Sequence, residues 1–405
     1  MNNVYLIDGV RTPSGRHGGN LADVRADDLA AITIQSIVER NNVPVDAIDD
    51  VIIGCANQAG EDNRNVARMA SLLAGLPYSV PGVTVNRLCG SGLEAIIQAA
   101  RAIRAGEGDI FIAGGVESMT RAPYSLPKYS KGAARGNQTA YDTSLGWRYP
   151  NPKMAERFPL EAMFETAENL AQKYSLSREA QDEYALECHK KAIQAVDKGL
   201  FDHEIQPVEI KGRKGKINRV EIDEGPRRDS SLEKLAKLRP LISLPPMNRS
   251  GGSITAGNSS SLNDGSAAVL VASEKGLAML NASPVLRFLS SGVAGVDPRI
   301  MGIGPAPASL KALERADKKL SDLHHIEINE AFAAQTLAVL KELNIGNEKV
   351  NPLGGAIALG HPLGCSGARI VTTMLHSLKR EGGGLGLASL CIGVGQGIAA
   401  VFESI

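Results

Sequence analysis

The sequence predicts an α/β protein made of two similar halves with an insertion between them. Strand and helix patterns alternate near both ends of the chain, and proline-rich segments interrupt them in the middle. Part of the first half recurs: Val51 corresponds to Ile326 (326 − 51 = 275) and Ser91 to Ser366 (366 − 91 = 275). We expect an N-terminal half over 1–120, an inserted loop domain over 121–250, a return segment over 251–280 and a C-terminal half over 281–405.

Strand and helix signals follow one another through the first half. Runs of β-branched residues predict strands, and apolar residues at helical spacing predict helices. Because parallel strands need a crossover such as a helix, the alternation indicates a largely parallel sheet covered by helices. The predicted strands cover 4–7, 51–53, 81–85 and 109–113, and the predicted helices cover 27–40, 65–74 and the residues after Cys89.

The insertion carries helices of its own. Apolar spacing predicts helices over 165–174 and 178–198, and Ser177 suits the N-cap of the second because its hydroxyl can accept a backbone N–H. The second half then returns to strand–helix alternation. We expect the insertion to cover a site formed between the halves.

Composition argues against several classes of partner. Lys plus Arg and Asp plus Glu both total 44, so the formal net charge is zero and nothing indicates binding to nucleic acid or a membrane surface. The five cysteines are scattered without a C-x-x-C pair, which argues against a zinc site or a disulfide framework. The sequence shows no targeting signal and no membrane-spanning run. We therefore expect a cytoplasmic protein without a bound metal.

Cys89 marks the turn between a predicted strand and a predicted helix. Unpaired N–H groups and the positive end of a helix dipole stabilise negative charge at such a place, so we expect a lowered thiol pKa and a reactive thiolate. The flanking Gly90 and Gly92 let other atoms approach the backbone closely. A small buried cysteine beside a glycine turn is the alternative interpretation.

Three later stretches place polar residues at the ends of predicted strands, where open α/β sheets bind ligands. They contain Asn329, His361 and Cys391. Each residue also has a structural interpretation: Asn329 as the cap of a helix over 330–343, His361 as a turn residue, and Cys391 as a buried thiol at a strand end. The strand-to-helix turn at Cys89, here called the elbow, has a repeated copy in the second half. Cys365 lies in that copy and is interpreted as a packing residue.

Taken together, these four stretches resemble the thiolase family. Segments 86–92, 143–148, 165–169, 297–302 and 391–397 are most similar to its 3-oxoadipyl-CoA (β-ketoadipyl-CoA) branch. The resemblance implies a thiolase-like fold of two repeated βαβαβαββ-type halves. It also implies an acyltransferase that cleaves a 3-oxoacyl-CoA reversibly, by ping-pong kinetics, to acetyl-CoA and a shortened acyl-CoA in fatty acid or aromatic degradation. Coenzyme A is then a substrate rather than a permanently bound cofactor, and the protein is a homo-oligomer, a dimer or a tetramer.

The resemblance also implies a role for each polar residue. Cys89 is the nucleophile that carries the acyl group as a thioester, and His361 takes its proton. Cys391 exchanges the proton at the α-carbon of the acyl-CoA. Asn329 positions a water that forms one oxyanion hole with His361, and the backbone N–H groups of Cys89 and Gly393 form the other. Two separate charges need such donors, because an enolate and a tetrahedral oxyanion both develop in this chemistry.

Further residues are assigned to the coenzyme and the acyl group by the same resemblance. A 3-oxoadipyl group also has a distal carboxylate, for which Arg121 and Arg148 in the insertion are candidate partners. The assigned residues are Arg227 and Ser260 for coenzyme A, Ala331 and Phe332 for the pantetheine tunnel, and Met163 and Met301 for the acyl pocket.

Three other functions compete with this interpretation. An acetoacetyl-CoA thiolase (acetyl-CoA C-acetyltransferase) would use the same residues on a shorter substrate. A non-catalytic thiolase-like binder of acyl-CoA would have lost at least one of the four polar residues, and all four are present. A 3-oxoacyl synthase usually pairs its cysteine with two histidines, whereas Asn329 and Cys391 occupy the corresponding loops here.

Overall fold

The computed structural model describes residues 2–128, 136–212 and 215–405. Ten strands form one mixed sheet, and two short hairpins, β6–β7 and β8–β9, lie apart from it. The strands are β1 Tyr5–Arg11, β2 Gly15–Arg16, β3 Asp50–Gly54, β4 Gly82–Val85, β5 Ile110–Ser118, β6 Tyr124–Ser125, β7 Tyr141–Asp142, β8 Val208–Lys211, β9 Ile217–Val220, β10 Asn263–Ala272, β11 Leu286–Gly295, β12 Leu323–Ile328, β13 Leu385–Ile392 and β14 Gln396–Ser404.

Helices cover both faces of this sheet, and further helices lie in the insertion. The predicted cap of the second insertion helix is confirmed, since Ser177 Oγ accepts the N–H of Ala180 at 3.1 Å. The helices are α1 Ala26–Arg40, α2 Val66–Leu73, α3 Ser91–Ala105, α4 Pro152–Ala155, α5 Met163–Lys173, α6 Arg178–Asp197, α7 Leu232–Ala236, α8 Glu274–Leu280, α9 Pro305–Ala316, α10 Ala333–Leu343, α11 Ala356–Leu359 and α12 Leu363–Glu381.

The strand order is β4-β3-β5-β10-β1-β11-β14-β13-β12, with β2 beside β10. The parallel pairing predicted for the first half holds for β4, β3 and β5 but not for β1, which pairs antiparallel with β10 and β11. The sheet as a whole is not largely parallel, because its only other parallel pair of strands among the described residues is β12–β13. The reason is clearest at β13 and β14. Only residues 393–395 join these strands, and so short a connection suits an antiparallel hairpin alone.

The two halves repeat one strand arrangement in the same register. Val51 pairs with Ile112 between β3 and β5, and Ile326 pairs with Leu387 between β12 and β13. Both residues of the second pair lie 275 positions after those of the first (326 − 51 = 275; 387 − 112 = 275). In the second half, a single bridge from Ile326 to Val350 stands where the first half has β4. The predicted α/β fold of two repeated halves is thus confirmed.

Helices α3 and α12, one from each half, meet backbone to backbone. A side chain on Gly92 would come within 2.7 Å of backbone atoms of Ala368 and Gly364, and one on Gly367 would come within 2.2 Å of the Leu93 nitrogen. The two glycines are themselves repeat partners (367 − 92 = 275). Because only glycine allows this approach, the first turns of both helices lie side by side at the junction of the halves.

The insertion between β5 and β10 is tied to the first strand by buried ion pairs. Arg11 is 1% exposed, and its guanidinium binds Glu204 at 2.5 Å and Asp223 at 2.7 Å. Removing one partner of such a pair leaves an uncompensated buried charge, so the insertion is anchored firmly at this point.

The boundaries at residues 120, 250 and 280 stay predictions. Among the described residues, no helix combines the length and apolar character that crossing a membrane requires.

Candidate active site

Cys89 lies at a strained turn between β4 and α3. Helix α3 begins at Ser91, so Cys89 comes two residues before its first turn. Leu88 has φ 47°, a left-handed conformation that costs a non-glycine residue energy and often marks a functional site. Ser91 stabilises the turn, since its Oγ donates to the Leu88 carbonyl at 2.6 Å and accepts the Arg87 N–H at 2.9 Å. The elbow is thus locked by its own helix.

A second strained loop faces the elbow. It follows β13, whose residue Cys391 is 1% exposed, and it contains Gly393 and Val394. Val394 has φ 63°, which is rare for a β-branched residue. The backbone N–H groups of Gly393 and of Cys89 itself lie near the Cys89 sulfur and lower the pKa of its thiol. Two backbone donors therefore converge at the thiol, the arrangement that an oxyanion hole requires.

His361 is held by hydrogen bonds that determine which ring nitrogen carries the proton. Its backbone N–H donates to Asn263 Oδ1 at 2.9 Å, and its Nδ1 lies 2.6 Å from Ser366 Oγ. Ser366 Oγ also lies 2.9 Å from the Pro362 carbonyl, which can only accept. That carbonyl also accepts the N–H groups of Cys365 and Ser366. When the serine proton points to it as well, Nδ1 carries the imidazole proton and donates to Ser366. Nε2 is left with a lone pair and can act as a base.

Asn329 follows β12 and lies against the ring of His361. Its Nδ2 is 3.4 Å from both ring nitrogens, and its Oδ1 is buried without a partner among the described residues. The interpretation of Asn329 as a helix cap is wrong, because α10 begins at Ala333 with Phe332 as its cap. The segment before it pairs with the 258–260 loop instead, through a bridge between Ser259 and Phe332.

Burial dominates the proton affinities of the site. It raises the pKa of the Cys89 thiol to about 11, against the two backbone N–H groups that lower it. The prediction of a lowered thiol pKa is therefore wrong for this structure. Burial, with the charge of Arg369, lowers the pKa of His361 to about 4. Burial and the neighbouring Cys89 raise the pKa of Cys391 well above its usual range. Both thiols and the imidazole are neutral at pH 7.

The predicted pocket residues converge on these groups. Cys391, Met301, Ala331 and Phe332 belong to one buried apolar cluster, and Met163 packs against it. A side chain on Gly393 would lie 3.7 Å from the Met163 sulfur. The site therefore has apolar walls around the two thiols.

A separate cavity of about 380 Å³ opens beside Ile357, four residues before His361. Of the two residues assigned to coenzyme A, Arg227 lines this cavity. Ser260 does not, because both its backbone N–H and its Oγ donate to the Ala331 carbonyl, at 3.0 and 3.1 Å. Its neighbours Ser259 and Ser261 line the cavity instead. The cavity also offers the cationic or polar side chains of Arg16, His17, His189 and Lys234.

Comparisons with known proteins agree with this geometry. The sequence matches the family "Thiolase, N-terminal domain" over residues 4–275 and "Thiolase, C-terminal domain" over residues 282–404. The chain belongs to the thiolase family. It is therefore an acyltransferase, and the repeated halves are the thiolase fold.

The similarity to named relatives and to solved structures covers nearly the whole chain. The 3-oxoadipyl-CoA/3-oxo-5,6-dehydrosuberyl-CoA thiolase of Escherichia coli is 51% identical, covering 100% of both chains. The β-ketoadipyl-CoA thiolase of Pseudomonas aeruginosa is 54% identical, covering 99% of both. The crystal structure of the Bacillus anthracis acetyl-CoA acetyltransferase superposes with a TM-score of 0.93 at 44% identity, covering 100% of this chain and 99% of that one.

Two buried carboxylates of this thiolase support the site and were not singled out in the sequence. Glu117 accepts the N–H groups of Ala56, Asn57 and Gly364 at 2.8–3.0 Å and so joins the two halves beneath the elbow. Burial raises the pKa of Glu117 to about 7. A glutamate after a β-branched run reads as an ordinary strand end, and only the tertiary fold places these three donors around it.

The other carboxylate, Glu330, is the direct neighbour of Asn329. It accepts from Tyr184 at 2.9 Å, Cys188 at 2.9 Å and Asn351 at 2.7 Å. These donors come from helix α6 of the insertion and from the loop between α10 and α11, so Glu330 ties the Asn329 loop to both. Its position beside Asn329 was the only sequence signal for this role.

Proposed function

We propose that this thiolase cleaves 3-oxoadipyl-CoA with free coenzyme A, giving acetyl-CoA and succinyl-CoA. The observation that carries the proposal is the similarity over the full chain to several β-ketoadipyl-CoA thiolases at 51–54% identity. The probable acetyl-CoA acyltransferase of Staphylococcus epidermidis is less similar, at 44%. The converging residues around Cys89 support a catalytic protein over a mere acyl-CoA binder.

The first half-reaction transfers the acyl group to Cys89. His361 Nε2 removes the thiol proton, and the sulfur attacks the C3 carbonyl of the substrate. The N–H groups of Cys89 and Gly393 stabilise the resulting oxyanion. When the C2–C3 bond breaks, its electron pair forms an enolate on the thioester, which Asn329 through a water and His361 stabilise. Cys391 then protonates C2, and acetyl-CoA leaves.

The second half-reaction releases the acyl group and restores both thiols. Coenzyme A gives its thiol proton to the Cys391 thiolate and attacks the thioester on Cys89. Collapse of this intermediate expels the Cys89 sulfur, which regains its proton from His361. The neutral imidazole suits this cycle, because His361 must accept a proton at the start and return it at the end.

Coenzyme A binds, in this proposal, in the 380 Å³ cavity lined by Arg227. Phosphate groups favour guanidinium and ammonium partners, which Arg16 and Lys234 also supply. From there the pantetheine chain would pass Ala331 and Phe332 to reach Cys89. A cytoplasmic location and the absence of a permanently bound cofactor are parts of the same proposal.

We also propose a homo-oligomer, a dimer or a dimer of dimers, formed through β4. This strand ends the sheet on its side, and Val83 within it is 40% exposed. Nearby, Leu73 is 55% and Tyr78 is 89% exposed. A free strand edge with exposed apolar residues is a common pairing surface. Light scattering after gel filtration measures the mass directly.

A side-by-side measurement of catalytic efficiency tests the substrate. We expect thiolysis of 3-oxoadipyl-CoA to have a higher kcat/KM than thiolysis of acetoacetyl-CoA, with parallel double-reciprocal lines for a ping-pong mechanism. Preference for acetoacetyl-CoA would make the protein an acetyl-CoA C-acetyltransferase instead, the activity named for the Bacillus anthracis structure. Cys89→Ala is the control for residual thiolysis.

A further inference from the structure

Under the proposed function, on which this inference rests, the acyl group on Cys89 ends in a free carboxylate. The walls of the site are apolar, since Met163, Met301 and Phe332 pack in one cluster with Cys391. A carboxylate placed there loses its hydration and needs a cation in return. Acetoacetyl-CoA leaves no such charge on the enzyme, so a cation at this point would separate two classes of substrate.

Two arginines of the insertion differ in what they already bind. Arg121 is occupied, because its Nε and Nη2 both bind the carboxylate of Glu61, with Nη2 at 2.7 Å from Oε1. Arg148 uses only Nη1, 3.5 Å from Asn57 Oδ1 and 3.3 Å from the Thr143 carbonyl. Among the described residues, no carboxylate oxygen lies within 4.0 Å of its guanidinium. The Nε and Nη2 groups of Arg148 can therefore bind a carboxylate side-on.

One hydrogen-bond partner of Arg148, Asn57, lies in a loop that contacts the elbow. Asn57 follows Ala56, whose carbonyl accepts Asn86 Nδ2 at 3.0 Å. Asn86 Oδ1 in turn accepts the N–H of Leu88 at 2.8 Å, next to the nucleophile. Arg148 thus contacts the loop that runs alongside the residues before Cys89.

The residue before Arg148 in the chain, Trp147, connects this segment to the acyl pocket. Trp147, adjacent to Arg148, donates its Nε1–H to the Glu161 carbonyl at 3.1 Å. Two residues later in the chain is Met163, whose sulfur faces Gly393. The segment that carries Arg148 therefore spans from the elbow side of the site to its Met163 side.

We propose that Arg148 binds the distal carboxylate of a dicarboxylic 3-oxoacyl group and makes the enzyme selective for such substrates. Its long contacts to Asn57 and Thr143 are weak, so a carboxylate can replace them at small cost. The planar guanidinium matches a carboxylate in two parallel hydrogen bonds, whereas an ammonium offers a single point charge.

The test compares three substrates in wild type, Arg148→Gln and Arg148→Lys: 3-oxoadipyl-CoA, its terminal methyl ester and acetoacetyl-CoA. We expect Arg148→Gln to lower kcat/KM for 3-oxoadipyl-CoA by roughly 10- to 100-fold, the usual effect of losing a charged hydrogen-bond partner. Activity with acetoacetyl-CoA should fall much less. Arg148→Lys should lie between, and Arg121→Gln, the matched arginine control, should keep the wild-type ratio between substrates.

The ester separates the possible outcomes. Wild type should prefer the acid to its ester, and Arg148→Gln should lose this preference. If Arg148→Gln retains it, or loses activity equally with all three substrates, the assignment of Arg148 is wrong while the proposed function stands. If wild type itself prefers acetoacetyl-CoA, the dicarboxylic substrate is wrong and the role of Arg148 falls with it.

Discussion

Neutral groups, rather than an ion pair, form the centre of the candidate site. Burial raises the pKa of Cys89 to about 11 and lowers that of His361 to about 4, so the proton stays on sulfur at neutral pH. Proton transfer then accompanies attack on a bound carbonyl, whose developing charge the N–H groups of Cys89 and Gly393 stabilise. When Ser366 accepts the proton of Nδ1, Nε2 of His361 is the accepting atom.

The low pKa of His361 predicts a loss of stability in acid. An unfolded histidine has a pKa near 6.5, so between pH 6.5 and about 4 the unfolded state binds the proton that the folded state excludes. The contribution is complete above that range and is lost as the pH falls through it, at about 1.4 kcal/mol per pH unit. We expect His361→Asn to have a shallower decline of unfolding free energy, measured by urea titration from pH 7 to 5.

The exposed His203→Asn variant is the control for removing a histidine as such. An equal decline in wild type and His361→Asn would contradict the account, because it would mean that the folded protein admits the proton on His361. Such a result would also remove the argument that this imidazole is ready to act as a base at neutral pH.

At the residue scale, the sequence suggested Cys89, Asn329, His361 and Cys391 as the site residues, and their roles stay predictions, but it did not reveal their electrostatics. The choice depended on motif chemistry, which is local. The pKa of Cys89 depends on how much water the other half of the fold displaces, and that is not visible in the residues around it. In the sequence, Ser366 stands out only as the repeat partner of Ser91. Its hydrogen bond to His361 depends on how the chain folds before α12.

At the scale of elements, the two elbow turns have diverged within the same geometry. Cys89 and Gly364 are repeat partners (364 − 89 = 275). A side chain on Gly364 would lie 2.6 Å from the Val116 carbonyl, 2.7 Å from Cys55 Cα and 2.9 Å from Glu117 Oε2. The second elbow therefore has no room for a nucleophile, and its helix serves instead to place His361.

This crowding predicts a large effect from one methyl group. We expect Gly364→Ala to destabilise the protein by about 2–3 kcal/mol, since backbone atoms must shift to admit it. Gly295→Ala is the matched control, because nothing lies within 4 Å of its added carbon. Urea unfolding of the two variants decides the point, and equal midpoints would show that the second elbow is looser than described.

Element types and the repeat offset were predictable, whereas strand direction and the start of α10 were not. The offset of 275 follows from residues that are spaced alike in both halves. Strand direction depends on which neighbour a returning strand pairs with, as β10 does after the whole insertion. Helix α10 begins late because Phe332 bridges to Ser259 and the Ala333 N–H donates to the Asn258 carbonyl at 2.9 Å. These are long-range contacts that periodicity does not reveal.

At the scale of the whole molecule, neither half contains the site alone. In the proposed mechanism, the first half supplies the nucleophile Cys89 at the elbow. The second half supplies Cys391 near the end of β13, and Asn329 and His361 on the loops that follow β12 and α11. Glu117 of the first half accepts the Gly364 N–H of the second, so the halves are joined directly beneath the reacting groups. We therefore propose that the two halves divide the work and that Cys89 alone carries the acyl group.

Mass spectrometry of the acyl-enzyme tests this claim most directly. The enzyme is mixed with 3-oxoadipyl-CoA without free coenzyme A, quenched in acid, digested and mapped. We expect one succinyl thioester, on the peptide containing Cys89, with release of an equal amount of acetyl-CoA and no adduct in Cys89→Ala. A succinyl group on Cys391 or another cysteine, or turnover in Cys89→Ala, would contradict the account.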